Sequence, residues 1–368
     1  MKIMGRTTSW TVLGGAALLI FGLVIAWGLF FSILDAQTAA EEPDAAVITN
    51  IVRDDLDELP VSAAVQYVNW LNGDLEATEE EAMPQPIGVM IENLLPVRPQ
   101  SGLSQAKIVY ETLAEGGATR FLVLFDGTEH MEKVGPVRSV RHYYLEWASE
   151  YDAAVMHAGG SPKGLEYLSG FAMRDLECIG RSARYCFRDT GIAAPHNLFS
   201  TSELLTFALR DNAEAWGEHQ AFAGWVYKDQ KDLDVRPEEA RAPTVHFSSY
   251  TYDSQYEYNR TDNCYNRING GQPHTDALTG SQICVKNVIV QFVPAEGYLP
   301  EKGRLDMNVT GTGRALIFRD GDAIDTATWA KESREGRTRW LNEDGEEIDL
   351  VRGSTWVHVV PGDRSVEY

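Results

Sequence analysis

Hydrophobic and polar positions divide the chain into an apolar block, an acidic stretch and a long region of mixed periodicity. Residues 10–34 carry no charge. As a helix they would rise about 37 Å at roughly 1.5 Å per residue, enough to cross a hydrocarbon core of about 30 Å with some tilt. Residues 35–84 are rich in Ala, Asp and Glu and read as a stalk, within which residues 61–72 have the spacing of a short amphipathic helix. Three apolar runs of strand length follow, PIGVMIEN, KIVYETL and TRFLVLF, the last two joined at Gly116-Gly117. In GPVRSVRHYYLEWASEY, the recurrence of Val140, Tyr143, Tyr144, Trp147 and Tyr151 predicts a helix with one aromatic face. Residues 152–158 predict a buried strand that Gly159-Gly160 terminate. Ser161 is then placed to cap a new helix, with Pro162 at its first position. Ser200-x-x-Glu203 has the form of a capping box. From Thr244 onward short strands alternate with turns, and Asp344-Gly345 marks a hairpin.

This order predicts an α+β fold: an N-terminal transmembrane helix, an α/β-type first domain and a mainly β second domain. The expected divisions are a cytoplasmic N-terminus (1–9), an anchor (10–34), an acidic stalk (35–84), a first domain (85–235) and a second domain (243–368). The polar segment KDQKDLDVRPEEARAP separates the two domains.

Charge sets the orientation. Lys2 and Arg6 precede the apolar block, whereas Asp35, Glu41, Glu42 and Asp44 follow it. The basic flank stays in the cytoplasm, so the membrane partner is the cytoplasmic membrane, crossed once by residues 10–34, with the remainder outside. A cleaved signal peptide is the rival reading, but the run exceeds an ordinary signal-peptide core and favours an uncleaved anchor. The formal charge of −22 argues against nucleic acid as a partner. Cys178, Cys186, Cys264 and Cys284 allow two disulfides in three pairings. The local pairs Cys178–Cys186 and Cys264–Cys284 are the simplest, with four buried thiols as the alternative. The chain has no Cys-x-x-Cys, which speaks against zinc. No cofactor is expected, because GTGR at 311–314 precedes a strand instead of a helix and fails the context of a dinucleotide loop.

Four clusters could carry chemistry. His157, Gly159, Gly160 and Ser161 stand where a strand turns into a helix, a place where free backbone N–H groups favour anions and where a Ser/His pair could react. Arg98, Arg120, Arg138 and Arg141 form a basic island in an acidic chain, continued by Arg174, Arg181, Arg184 and Arg188. Guanidinium groups suit carboxylates and phosphates, although pairing with Glu111, Glu115, Glu146, Asp175 or Asp189 would serve the fold alone. His196 and Asn197, with His157 and Glu115, could supply a base or a metal site, yet no ligand spacing supports a metal. Arg260, His274 and Asp276 form a secondary candidate, in which His274 and Asp276 lie two apart and could pair.

The stretches RPQSGLSQAKIVYETLAEGGATRF, GPVRSVRHYY, HAGGSP and APHNLF, with HTDALTG, NVIVQF, GTGRALIF and GSTWVHVVP further on, resemble the YerB-like lipoprotein family, whose two parts are designated domain of unknown function 3048. The resemblance covers about residues 84–368. It implies an envelope protein, often lipid-anchored, and transfers no catalytic residue. No Cys lies near the apolar block, so the same module would here use a membrane span as its anchor. Two functions are then in competition. In the first, an extracytoplasmic module binds an anionic envelope ligand through Arg98, Arg120, Arg138 and Arg141. In the second, an envelope hydrolase or transferase uses His157 or His196 as base, Ser161 as nucleophile and Glu115 as acid or orienting group. A structural partner in an envelope complex is the third reading.

Overall fold

The computed structural model describes residues 65–368, except 181, 221, 300–303 and 363, and without the side chains of 295–299. The cytoplasmic N-terminus, the anchor, the stalk as far as residue 64, and Arg181 lie outside the described residues. Among the described residues no helix is long and apolar enough to cross a membrane.

The scaffold is an 11-stranded mixed sheet. Its first strands are β1 (Ile87–Glu92), β2 (Ile108–Leu113), β3 (Thr119–Phe125), β4 (Ala154–His157) and β5 (Asp175–Glu177). The C-terminal part adds β8 (Asn287–Val293), β9 (Gly311–Arg319), β10 (Thr328–Lys331), β11 (Arg339–Leu341) and β12 (Thr355–Pro361). The order is β11-β10-β9-β8-β12-β2-β3-β1-β4-β5, with the short strand Asp322–Ile324 paired to β9 off this path as the eleventh, so both parts of the chain build one sheet. Strand β12 runs parallel to β2 and to β8, while β3 is antiparallel to β1 and β2. The C-terminal ends of β1, β2, β4, β5, β8 and β12 therefore share one edge of the sheet. Buried on both faces, β1 and β2 have continuous rather than alternating burial, as central strands do.

One face packs on helix α1 (His142–Ser149), whose Tyr143, Tyr144 and Trp147 are buried as the helical spacing predicts. Tyr110 of β2 stacks on Trp147 with ring centroids 5.1 Å apart. The opposite face carries helix α3 (Ser202–Trp216) and a smaller, six-stranded sheet, whose longest strands are β6 (Ser254–Asn259) and β7 (Cys264–Asn269). The C-terminal part is thus mainly β. Both local cysteine pairs are disulfides: Cys178–Cys186, and Cys264–Cys284, which ties β7 to the short strand beside it.

Four sequence expectations are corrected. The helix predicted from Gly135 starts only at His142. Val137 bridges Ile91 and Val140 bridges Gly160, so sheet-edge hydrogen bonding holds residues 137–140 extended. The cap near 200 is Thr201, which accepts from the Leu204 N–H at 3.2 Å, while the Ser200 hydroxyl donates to the Tyr185 carbonyl. The helix expected over 61–72 is, where described, a strand pair, Tyr67–Val68 with Leu75–Glu76. The stalk also ends before residue 84, because Leu71 is fully buried in the core around α1. Helix α2 (Pro162–Gly170) is capped by Ser161 as expected.

Candidate functional site

The extended segment 137–140 is a wedge. The Arg138 N–H donates to Met90 at the end of β1, and the Arg138 carbonyl accepts from Ala158, just past β4. On the other side, the Val140 N–H donates to Gly159. The wedge fills the crevice between the C-terminal ends of two parallel strands, the place where open α/β sheets bind ligands. It carries Arg138 and leads directly to Arg141, the residue preceding α1.

Arg120 and Glu92 are direct cross-strand partners on β3 and β1, yet they do not form an ion pair. The Glu92 carboxylate, nearly inaccessible, is held instead by Arg138 (2.9 Å) and His196 (2.7 Å). Glu115, in the turn after β2, takes a two-pronged contact from Arg141 and a longer one from Arg304 at 3.5 Å. Burial opposes the Glu115 charge, but Arg141 and then Arg120 outweigh it and hold the carboxyl below the usual range. Arg120 donates one bond, 2.6 Å, to the Ser139 carbonyl, and its Nε has no partner. Among the described residues no carboxylate lies within ion-pair distance of Arg120. Burial, and then the nearby Arg141 charge, press its pKa down, against the weaker pull of Tyr144 and Glu115. The cluster therefore holds Arg120, Arg138, Arg141 and Arg304 against the carboxylates of Glu92 and Glu115.

The other expected residues occupy separate places. His157 is buried, with Nδ1 2.8 Å from the Gly159 carbonyl and Nε2 2.9 Å from Asp175. The Ser161 hydroxyl accepts from the Gly164 N–H, and no hydrogen bond joins it to His157. Gly159 turns the chain at φ +66° and supplies carbonyl contacts to Val140 and His157, while Gly160 pairs with Val140. Asn197 accepts from Arg188 and donates to the Asp189 carbonyl, bracing the hairpin that presents His196. Among the described residues no group of three metal-ligating side chains converges.

Arg98 faces the opposite side of the sheet, donating to Asn93 and to the Thr251 carbonyl, with its pKa lowered to about 10 by burial and then by Arg267. His274 lies beside it in a fully buried layer between the two sheets. The His274 ring meets Arg267 and, at 2.8 Å, Gln100. Arg267 in turn donates to Glu111 at 2.7 Å. Asp276 does not pair with His274; its two oxygens accept the N–H groups of Ser104 and Leu278. Arg260 donates to the Arg236 carbonyl. Arg260, His274 and Asp276 therefore stabilise the C-terminal part and do not converge on a shared site.

Sequence reasoning passed over Glu92, Arg267 and Arg304, and named Glu111 only as a pairing partner for the arginines. Glu92 was detectable, since a carboxylate inside a continuous apolar strand run stays buried only when it is paired.

These features define an α+β module with an arginine-rich cluster at one sheet edge. The chain belongs to the proteins of unknown function DUF3048, with the N-terminal domain matched at residues 71–218 and the C-terminal domain at residues 243–357. It is similar to a protein of Bacillus subtilis (strain 168) named "Putative lipoprotein YerB", 28% identical over 291 residues that cover 78% of this chain and 84% of the relative. The crystal structure of the YerB protein from Bacillus subtilis superposes with a TM-score of 0.71 at 27% identity, covering 82% of this chain and 99% of that one.

Proposed function

We propose that the protein is an extracytoplasmic, membrane-associated module that binds an anionic envelope ligand at the arginine cluster beside the wedge that fills the gap between the ends of β1 and β4. One observation carries this reading. Arg120 lies near Arg141 and, among the described residues, has no carboxylate within ion-pair distance, although Glu92 lies directly across the strand pair and Glu115 acts on it from farther away. A phosphate or carboxylate arriving there gains charge-assisted bonds to a donor that has no direct ion pair among the described residues. Two disulfides favour an oxidising compartment, and the related Bacillus protein is named as a lipoprotein. The hydrolase reading has less support, because the Ser161 oxygen is buried and engaged as a helix cap.

Binding of a polyol-phosphate oligomer tests the proposal. Affinity should fall with added salt. Arg120→Gln should weaken it roughly 10- to 100-fold, from the ~1.5–3 kcal/mol of a charged hydrogen bond, with the melting temperature maintained. Equal affinity in wild type and variant refutes the assignment.

A further inference from the structure

Helices α1 and α2 leave a polar stripe between them. His142, Glu146 and Ser149 follow the spacing that puts α1 residues on one side. They face Tyr167 and Phe171 at the far end of α2. The His142 ring lies 5.8 Å from Tyr167, and Tyr167 lies 5.0 Å from Phe171. Glu146 lies close to Tyr167, and burial raises the Glu146 pKa. At the near end, Nε2 of His142 is 2.7 Å from an oxygen of Asp306, whose carboxylate is also bound by Lys163. At the far end, the Arg334 guanidinium lies 4.0 Å over the Phe171 ring and bonds the Ser149 hydroxyl at 2.9 Å. A cavity of about 390 Å³ opens there, lined by Asp152, Phe171, Arg174, Trp216, Gln220 and Arg334.

Asp306 decides what His142 offers. An ionised carboxylate only accepts, so Nε2 carries the proton and Nδ1 presents a lone pair. Among the described residues no group donates to that Nδ1. Burial and then Lys163 keep the ring's pKa low against the pull of Asp306, so the imidazole is neutral. The cations along the stripe are each paired, Arg174 with Asp152, Arg334 with Glu335 and Lys163 with Asp306, while Glu146 adds a carboxyl whose pKa burial raises, so nothing there recruits an anion. This is the opposite of the Arg120 crevice. A ligand here must be uncharged, must hydrogen-bond at several points and must lay an apolar face on Phe171, which is 46% exposed. A sugar ring meets all three demands, with hydroxyl groups around its rim and C–H bonds on its faces. The cavity also falls in the range of roughly 300–1,000 Å³ that small ligands occupy.

We propose that this stripe and cavity form a second site, which takes a neutral glycan segment with a ring against Phe171 and a hydroxyl donated to Nδ1 of His142. His142 is then a binding residue and Asp306 the positioning residue that fixes its tautomer. The site is independent of the anion crevice, so either can fail alone.

Calorimetry with an uncharged N-acetylglucosamine oligomer tests it. Wild type should bind with an affinity that low and high salt leave alike. Phe171→Ala alters an exposed ring. His142→Phe keeps the ring contact with Tyr167 but removes the acceptor. Each should lower affinity about tenfold or more, equivalent to ~1.4 kcal/mol. Circular dichroism of both site variants confirms their folds. No binding by wild type, or wild-type affinity in both Phe171→Ala and His142→Phe, overturns the proposal.

Discussion

Replacing Arg267 with Met should destabilise the protein severely. Arg267 is fully buried between the two sheets, donating to Glu111 and to Ser254 at 2.7 Å each and lying 4.3 Å from the Trp356 ring. Glu111 is equally buried and also accepts from Thr119 at 2.8 Å and Trp356 at 3.0 Å. Burial alone would raise the Glu111 pKa, but Arg267, followed by His358, reverses this and holds it low. Arg267→Met leaves that carboxylate in a dry layer without its cation. Breaking a buried pair from one side costs roughly 3–5 kcal/mol. At ~2–4 °C per kcal/mol for a unit of this size class, the midpoint should drop on the order of 10 °C. Glu111→Leu combined with Arg267→Met removes the orphaned charge and should recover much of the loss, because an apolar replacement of a whole buried pair is often neutral. Urea titration gives the free energies and thermal melting the midpoints. A loss below about 1 kcal/mol in Arg267→Met, or a double variant less stable than the single, would refute the claim that the two sheets are clamped by this pair.

Two further perturbations probe the same interior. Gln291 of β8 is fully buried and, among the described residues, neither end of its amide has a hydrogen-bond partner, so Gln291→Met should stabilise the fold in urea titration by about 1 kcal/mol or more; destabilisation would show that the amide is satisfied. His358 is buried 2.9 Å from the Tyr256 hydroxyl, with its pKa lowered to about 3 by burial, against the pull of Glu111. The unfolded chain binds that proton near pH 6.5 and the folded protein does not, so stability should fall as pH drops from about 7 to 5. His358→Gln should flatten that slope, with His274 supplying the remainder in the same direction. An unchanged slope would deny His358 its buried neutral state.

Much of the scaffold was readable from local pattern. The three strand runs, the aromatic face of α1, the Ser161 cap with Pro162, and the local disulfides all depend on neighbours within a few residues. The failures occur where distant segments decide. GPVRS has good helical spacing, but the open ends of β1 and β4 offer it hydrogen bonds and hold it extended. No periodicity shows that β12, near the C-terminus, inserts between β8 and β2 to merge the two parts of the chain into one sheet. The same limit applies to the site. Arg120, Arg138 and Arg141 were visible as a group and do gather at one edge. Arg98 came with them in the reading, but it follows Asn93 to the other face. His142 and Asp306, 164 positions apart, could not be paired from sequence at all.

The central claim is that Arg120 is a cation awaiting an external anion. A crystal soaked with tungstate, an oxyanion with a strong anomalous signal, tests it most directly. An anomalous peak within hydrogen-bond reach of the Arg120 guanidinium, absent from Arg120→Gln crystals, is the predicted result. Tungstate bound only elsewhere, with the Arg120 cluster open to the soak, would contradict it.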